Sequence, residues 1–220
     1  MKTLIMQNEK YSIYKVGREY LREIAKFTVD VNYRHHKEPV MSEVKEQEIE
    51  FIYKDELLFA KASQIYVAEN IKRQMIGSIR IMKWNQKNIL PTQKIFDINP
   101  LNHINGTSQS SYWHVGRFAV ETFDSVSNIS LFKTLMMYAI YPIYNEHDGY
   151  MIAECDSRLL RVMNLLGIDT VNLSESIHYL GSETIPIYAD KEGLKKFYRK
   201  HHHLCDYEPN NVEFYKCKVG

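Results

Sequence analysis

Apolar positions follow two rhythms along this chain, and the changes between them mark its elements. Residues 11–16 alternate and predict a first strand; over 18–33, Leu21, Ile24, Ala25 and Val29 recur at helical spacing. Residues 43–61 are rich in charge but carry Ile49, Ile52 and Leu57, which predicts a second helix. Two strands follow at 65–69 and 75–84, joined by a polar turn at Asn70, Ile71 and Lys72. Residues 85–111 hold Pro91, Pro100, Gly106 and many Asn and Ser. They read as a long loop with room for one short helix, and loops of that length usually carry function or are disordered.

The pattern tightens after this loop. Residues 112–120 predict a strand, and 127–144 a helix burying Ile129, Phe132, Met136, Ile140 and Ile143 on one face. A strand at 150–155 leads to Asp156 or Ser157, either of which can cap a helix carrying Leu160, Val162, Met163, Leu165 and Leu166. Gly167 ends that helix. Residues 169–180 and 184–189 predict two strands linked by Gly181-Ser182, and a basic helix at 191–203 precedes a tail with one candidate element at 212–218. Mixed strands interrupted by helices, with no repeat, predict one α/β (α+β) domain over residues 1–220.

Composition narrows the classes. With 45% hydrophobic and 25% charged residues the chain is ordinary for a soluble globular protein. A net charge of +1 argues against a dedicated nucleic-acid binder. Cys155, Cys205 and Cys217 lack metal-ligand spacing and are too few for a disulfide framework, so a reducing cytoplasm is expected and no metal is. The apolar start turns polar at Gln7, too soon for a signal-peptide core, and no run reaches the length of a membrane span. Sixteen tyrosines and nine methionines are a generous supply of adaptable walls for a lipid tail.

Candidate chemistry concentrates at Trp113-His114-Val115-Gly116-Arg117-Phe118-Ala119-Val120. This strand runs through a polar loop, Ser125-Val126-Ser127-Asn128-Ile129-Ser130, into the apolar helix. A helix start with several N-cap candidates and no nearby acid binds phosphate through free backbone N–H groups and its positive dipole end. A strand edge, a helix N-terminus and nearby titratable groups are what a coenzyme-A or phosphopantetheine acyltransferase requires.

The order of elements resembles the GNAT acyltransferase fold, within which the match is to the autoinducer-synthase branch. That branch comprises acyl-homoserine-lactone synthases, long-chain N-acyl amino acid synthases and ornithine-lipid-type N-acyltransferases. Gly77-Ser78-Ile79-Arg80-Ile81 resembles its GxxRL strand, and Leu90-Pro91-Thr92 with Ile95-Phe96 its LPT…F segment. The strand 113–120 resembles WE(I/L)(S/G)RFAV, with His114 in place of the acid. Leu166-Gly167-Ile168, Tyr179-Leu180-Gly181 and Ile185-Pro186-Ile187 are similar to its C-terminal half, so the resemblance spans about residues 10–190. The insertion 82–89 breaks the RLLPT run of lactone synthases proper, and residues 125–130 depart from the usual (Q/R)xxGx(G/A) phosphate loop.

The resemblance implies a mixed, mostly antiparallel sheet flanked by helices. It also implies transfer of an acyl group, above all a fatty acyl group, to a small amine such as an amino acid. The donor would be acyl-CoA or an acyl-phosphopantetheine on acyl carrier protein. A non-catalytic acyl- or carrier-binding module and an acetyl-CoA-dependent GNAT acetyltransferase are the alternatives. His114 is the candidate base, since an unperturbed imidazole titrates near about 6.5; a hydrogen-bonded structural histidine is the other reading. Glu121 is the second candidate base, or a solvated strand-end charge. Backbone N–H groups of Phe118, Ala119 and Val120 would hold the oxyanion, and Ser125, Ser127, Asn128, Ile129 and Ser130 the phosphates. Arg117 and Arg80 suit an acidic partner in the site or a substrate carboxylate. Trp113, Phe96 and Trp84 are candidates to wall the acyl or acceptor pocket, and equally suit plain core. Asp55 could match one of the family's N-terminal acids. Many GNAT enzymes protonate the leaving thiolate with a tyrosine whose place here is Met163. Cys155 reads as buried and inert, and His201-His202-His203 as a solvated face. The cluster Lys191, Lys195, Lys196, Arg199 and Lys200 is either an exposed basic helix or a dock for an acidic carrier protein.

Overall fold

The computed structural model of the chain describes residues 1–36, 41–121, 126–179 and 182–205, leaving aside the side chains of 35–36 and 126–128. The alternating stretches become strands of one nine-stranded sheet: β1 (Lys2–Gln7), β2 (Tyr11–Val16), β3 (Ser63–Asn70), β4 (Met75–Lys83), β5 (Ser111–Val120), β6 (Gly149–Asp156), β7 (Val171–Asn172), β8 (Ile177–Tyr179) and β9 (Ser182–Ala189). Their order is β1-β2-β3-β4-β5-β6-β9-β7, with β8 also paired to β9. Every pair is antiparallel except β5–β6, which is parallel. A parallel pair needs a crossover, and α4 (Val126–Tyr144) supplies it.

Helices cover both faces. On one side α1 (Leu21–His36) and α2 (Ser42–Phe59) pack together, with the short α3 (Pro91–Phe96) beside them. Pro91 starts α3, where its missing N–H costs nothing, and the Gln93 side chain accepts from Leu90 N at 2.9 Å. On the other side α4, α5 (Ser157–Leu166) and α6 (Lys191–His201) cover the main core, which holds Phe132, Met136, Ile140 and Phe197. Asp156 caps α5 by accepting from Leu159 N, and Gly167 closes it at φ 87°. Among the described residues no helix is long and apolar enough to cross a membrane.

Four expectations change. Residues 2–7 form an edge strand without an alternating signal, because none of its positions is fully buried and its pairing with β2 is bulged between Leu4 and Met6. Residues 169–180 split in two: Asn172 pairs with Ile187 and Ile177 with Thr184, so five steps on one strand face three on the other and the surplus loops out. Ile129 is 38% exposed rather than buried. His201 is buried against the Phe197 ring at 4.7 Å, whereas His202 and His203 stay exposed. The candidate element at 212–218 lies outside the described residues.

Candidate active site

The β5–β6 ladder stops at the Val115–Ala153 pair, although both strands continue. β5 is bulged there: Gly116 pairs with Arg80 and Ala119 with Ser78, three steps against two. Arg117 sits at φ 52°, a left-handed conformation that costs a non-glycine residue about 1–2 kcal/mol. Its carbonyl accepts from Ser78 Oγ at 2.8 Å. β6 meanwhile stays with β9 as far as Asp156. The strands therefore splay, and a cleft of about 140 Å³ opens between residues 115–120 and 153–156. Among the described residues the β6-facing main-chain edge of 116–120 has no partner strand. α4 begins a few residues beyond it.

The two ends of the cleft differ because side chains alternate across a strand. Ala153 and Cys155 point toward α4 and α5, where Met136, Leu159 and Met163 complete an apolar wall. Burial and the neighbouring Asp156 and Glu154 push the Cys155 thiol far up, so it stays protonated. Glu154 projects to the opposite face, toward α1, α2 and α3, where Thr28, Asn32, Arg117 and Tyr179 also border the cleft.

Behind Glu154 lies a buried charge network. His114 Nε2 donates to Glu154 at 2.9 Å, and Arg80 Nη2 donates to His114 Nδ1 at 3.0 Å. Because a guanidinium can only donate, Nδ1 must be the acceptor, and the imidazole is the neutral Nε2–H tautomer. Thr92 Oγ1 donates to the same carboxylate. Arg80 Nε lies 3.0 Å from Glu56 Oε2, and Arg117 Nε donates to Glu56 Oε1 at 2.7 Å. Arg117 Nη2 reaches Asp55 at 3.4 Å, and Lys94 Nζ binds Asp55 at 2.6 Å. Three cations (Arg80, Arg117, Lys94) thus meet three carboxylates (Asp55, Glu56, Glu154), as a low-dielectric interior demands. Burial pulls the Arg80 guanidinium down, only partly offset by Glu56; for Arg117 the pull of burial is outweighed by Glu56, Tyr179 and Asp55. Burial pushes Glu154 up, but His114, Thr92 and Arg117 overcome it and hold the carboxyl below its ordinary range. Glu154 is an anion at neutral pH.

The residues expected to act together are only partly gathered. Arg117, Phe118, Ala119 and Val120 border the cleft. His114 is fully buried and does not; it stands behind Glu154 with both ring nitrogens engaged. Arg80 is likewise buried behind the cleft, its guanidinium 5.8 Å from the Phe59 ring centre. Glu121 pairs with Arg34 at 3.1 Å, away from the cleft. Trp84 packs edge-on to Tyr112 and donates to Asn88 O, Trp113 lies in the core under α4, and Phe96 is half-buried on α3; none borders the cleft. Ser125 lies outside the described residues, as do the side chains of Ser127 and Asn128; Ile129 is exposed and Ser130 half-buried.

Glu154, Glu56, Thr92, Lys94 and Tyr179 were not anticipated from the sequence, and Asp55 only loosely. A signal existed for two of them. Glu56 falls at an inward position of the run Ile49, Ile52, Glu56, Phe59, and Glu154 interrupts the apolar strand 151–155. A carboxylate in a core register is an invitation to look for its partner.

The chain matches no protein-family model and no curated protein. It is similar to the solved structure of FeeM, an N-acyl amino acid synthase from uncultured soil microbes. The identity is 17% and the TM-score 0.56, over 84% of this chain and 93% of that one. It is similar to the AHL synthase LasI at 14% identity and a TM-score of 0.56, over 90% and 96% of the two chains. A GNAT-family acetyltransferase of Staphylococcus aureus matches at 12% identity and a TM-score of 0.50, over 82% and 99%. Sheet order, helix placement and these structural matches together show that the chain shares the fold of these proteins.

Proposed function

We propose that the chain is an N-acyltransferase. It moves an acyl group, a fatty acyl chain above all, from acyl-CoA or acyl carrier protein to the amine of a small acceptor such as an amino acid. The carrying observation is the splayed cleft, with unpartnered main chain at 116–120 on one wall and the Glu154 anion at its polar end. The thioester lies against β5, where N–H groups of residues 118–120 receive the carbonyl oxygen as it becomes an oxyanion. The apolar wall of Met136, Leu159 and Met163 suits the donor's acyl and pantetheine carbons. Glu154 attracts the acceptor's ammonium form and takes a proton from the attacking nitrogen as the C–N bond forms, when that nitrogen becomes acidic. His114, Arg80 and Thr92 aim the carboxylate. Arg117, already committed to Glu56 and Asp55, holds the bulge open. The similarity to FeeM, an N-acyl amino acid synthase, favours an amino-acid acceptor. The buried thiol of Cys155 accords with the cytoplasm, where such thioesters are made.

Thiol release from acyl-CoAs of graded length with pooled amino acids, and mass spectrometry of the product, tests this reading. Amide formation that falls about 10²–10⁴-fold in Glu154→Gln supports it. Donor binding with no turnover points instead to a carrier-binding module.

A further inference from the structure

Collapse of the tetrahedral intermediate expels an alkyl thiolate, which needs a proton. Met163, at the place where the resembling enzymes keep a tyrosine, has none to give and is buried in the apolar wall. Glu154 is already ionised. Among the cleft-lining groups that carry a transferable proton, Cys155 is buried on the apolar face, and the hydroxyls of Thr28, Ser182 and Thr184 are far weaker acids than a phenol. Tyr179 remains.

β8 carries Tyr179 opposite Ser182 of β9, beside the strand that holds Glu154. Its side chain is half-buried and borders the cleft together with Arg117 and Glu154. Among the described residues its hydroxyl has no hydrogen-bond partner, and it is not sealed from solvent. Burial pushes the phenol above its ordinary value; Arg117 pulls against this, while Glu154, Asp55 and Glu48 reinforce it. The resting group is a phenol with a cation poised beside it.

We propose that Tyr179 is the acid that protonates the departing thiolate, with Arg117 steadying the phenolate and Glu154 restoring its proton. This rests on the N-acyltransferase reading. The acceptor reacts as the neutral amine, its ammonium proton having gone to solvent. Nitrogen's lone pair forms the C–N bond while the carbonyl π pair moves to oxygen, and Glu154 takes one proton from nitrogen. The oxyanion pair re-forms C=O, the C–S pair leaves on sulfur, and the Tyr179 proton goes to that sulfur. Glu154 then returns its proton to the phenolate, leaving amide, free thiol and both side chains as they began.

Tyr179→Phe keeps the ring and removes only the acid. With an acyl-CoA donor its kcat is expected to fall about 10²-fold or more with KM nearly unchanged. With an acyl thiophenyl ester, whose leaving group needs no proton, kcat should stay within a few-fold of wild type. Equal losses on both donors would show that the ring merely shapes the cleft and overturn the assignment, as would full activity on acyl-CoA. In either of those outcomes wild-type turnover still stands, and with it the parent reading. Wild type forming amide from neither donor overturns both.

Discussion

Glu154 on β6 and His114 on β5 meet at 2.9 Å across the last rungs of the parallel pair, the imidazole donating and the carboxylate accepting. In the motif that 113–120 resembles, the position of His114 is acidic. Here the carboxylate comes from the neighbouring strand instead, and the histidine fills the space between it and Arg80.

Removing the imidazole therefore acts in two ways. His114→Ala leaves Arg80 Nη2 without its acceptor and Glu154 without its donor in a buried site. A stability loss of about 1–3 kcal/mol is expected from urea denaturation. The product assay should show a loss of turnover smaller than that of Glu154→Gln, because the carboxylate survives.

Glu56 is shared by two buried guanidinium groups, those of Arg80 and Arg117. Glu56→Ala strands both Arg80 and Arg117 and should destabilise the chain by about 3–5 kcal/mol. Asp55→Asn should cost clearly less, since its partner Lys94 is 37% exposed and can turn to water. Chemical denaturation of the two variants side by side decides the order.

Gly116 is needed for room. A Cβ there would lie 2.8 Å from Arg80 Nη2 and 3.2 Å from His114 Cε1, both in a packed interior. Gly116→Ala should cost about 1–3 kcal/mol and misalign the Arg80–His114–Glu154 chain, lowering kcat more than donor affinity. Thermal unfolding together with acyl-CoA titration checks both halves.

Acid should weaken the fold in two windows. Burial, with help from Lys133, Lys200 and His203, lowers the His201 pKa from 6.5 to about 4. Between those values the unfolded chain binds a proton that the folded one refuses, so stability is full above 6.5 and drains as pH falls toward about 4. Glu154, held below its ordinary 4.5, adds a loss that begins near that value and completes only below its folded pKa. Denaturation midpoints from pH 7.5 to 4 should slope less steeply in His201→Phe than in wild type.

Much of the scaffold was legible in the chain. Alternation at 11–16 and 150–155, helical spacing in α1 and α4, and the Asp156 and Gly167 signals at the ends of α5 are local features, and they survive folding because the backbone obeys them within a few residues. The stretch 113–120 was equally local; its residues 115–120 border the cleft, whereas Trp113 and His114 do not. The split of 169–180 and the edge strand at 2–7 were not legible, since each depends on register with a distant strand.

Sequence alone thus determined most of the order of strands and helices and singled out the strand 113–120, because periodicity and caps are written in near neighbours. Only the tertiary structure decided which side chain faces the cleft. The bulge at Arg117 and the end of the β5–β6 ladder set the opening, and packing of α2 and α3 on the sheet brings residues 55, 56 and 92 to residue 154. A buried charge must find its counter-charge through space. Such pairing leaves only an isolated polar letter in an apolar run, as Glu56 and Glu154 do.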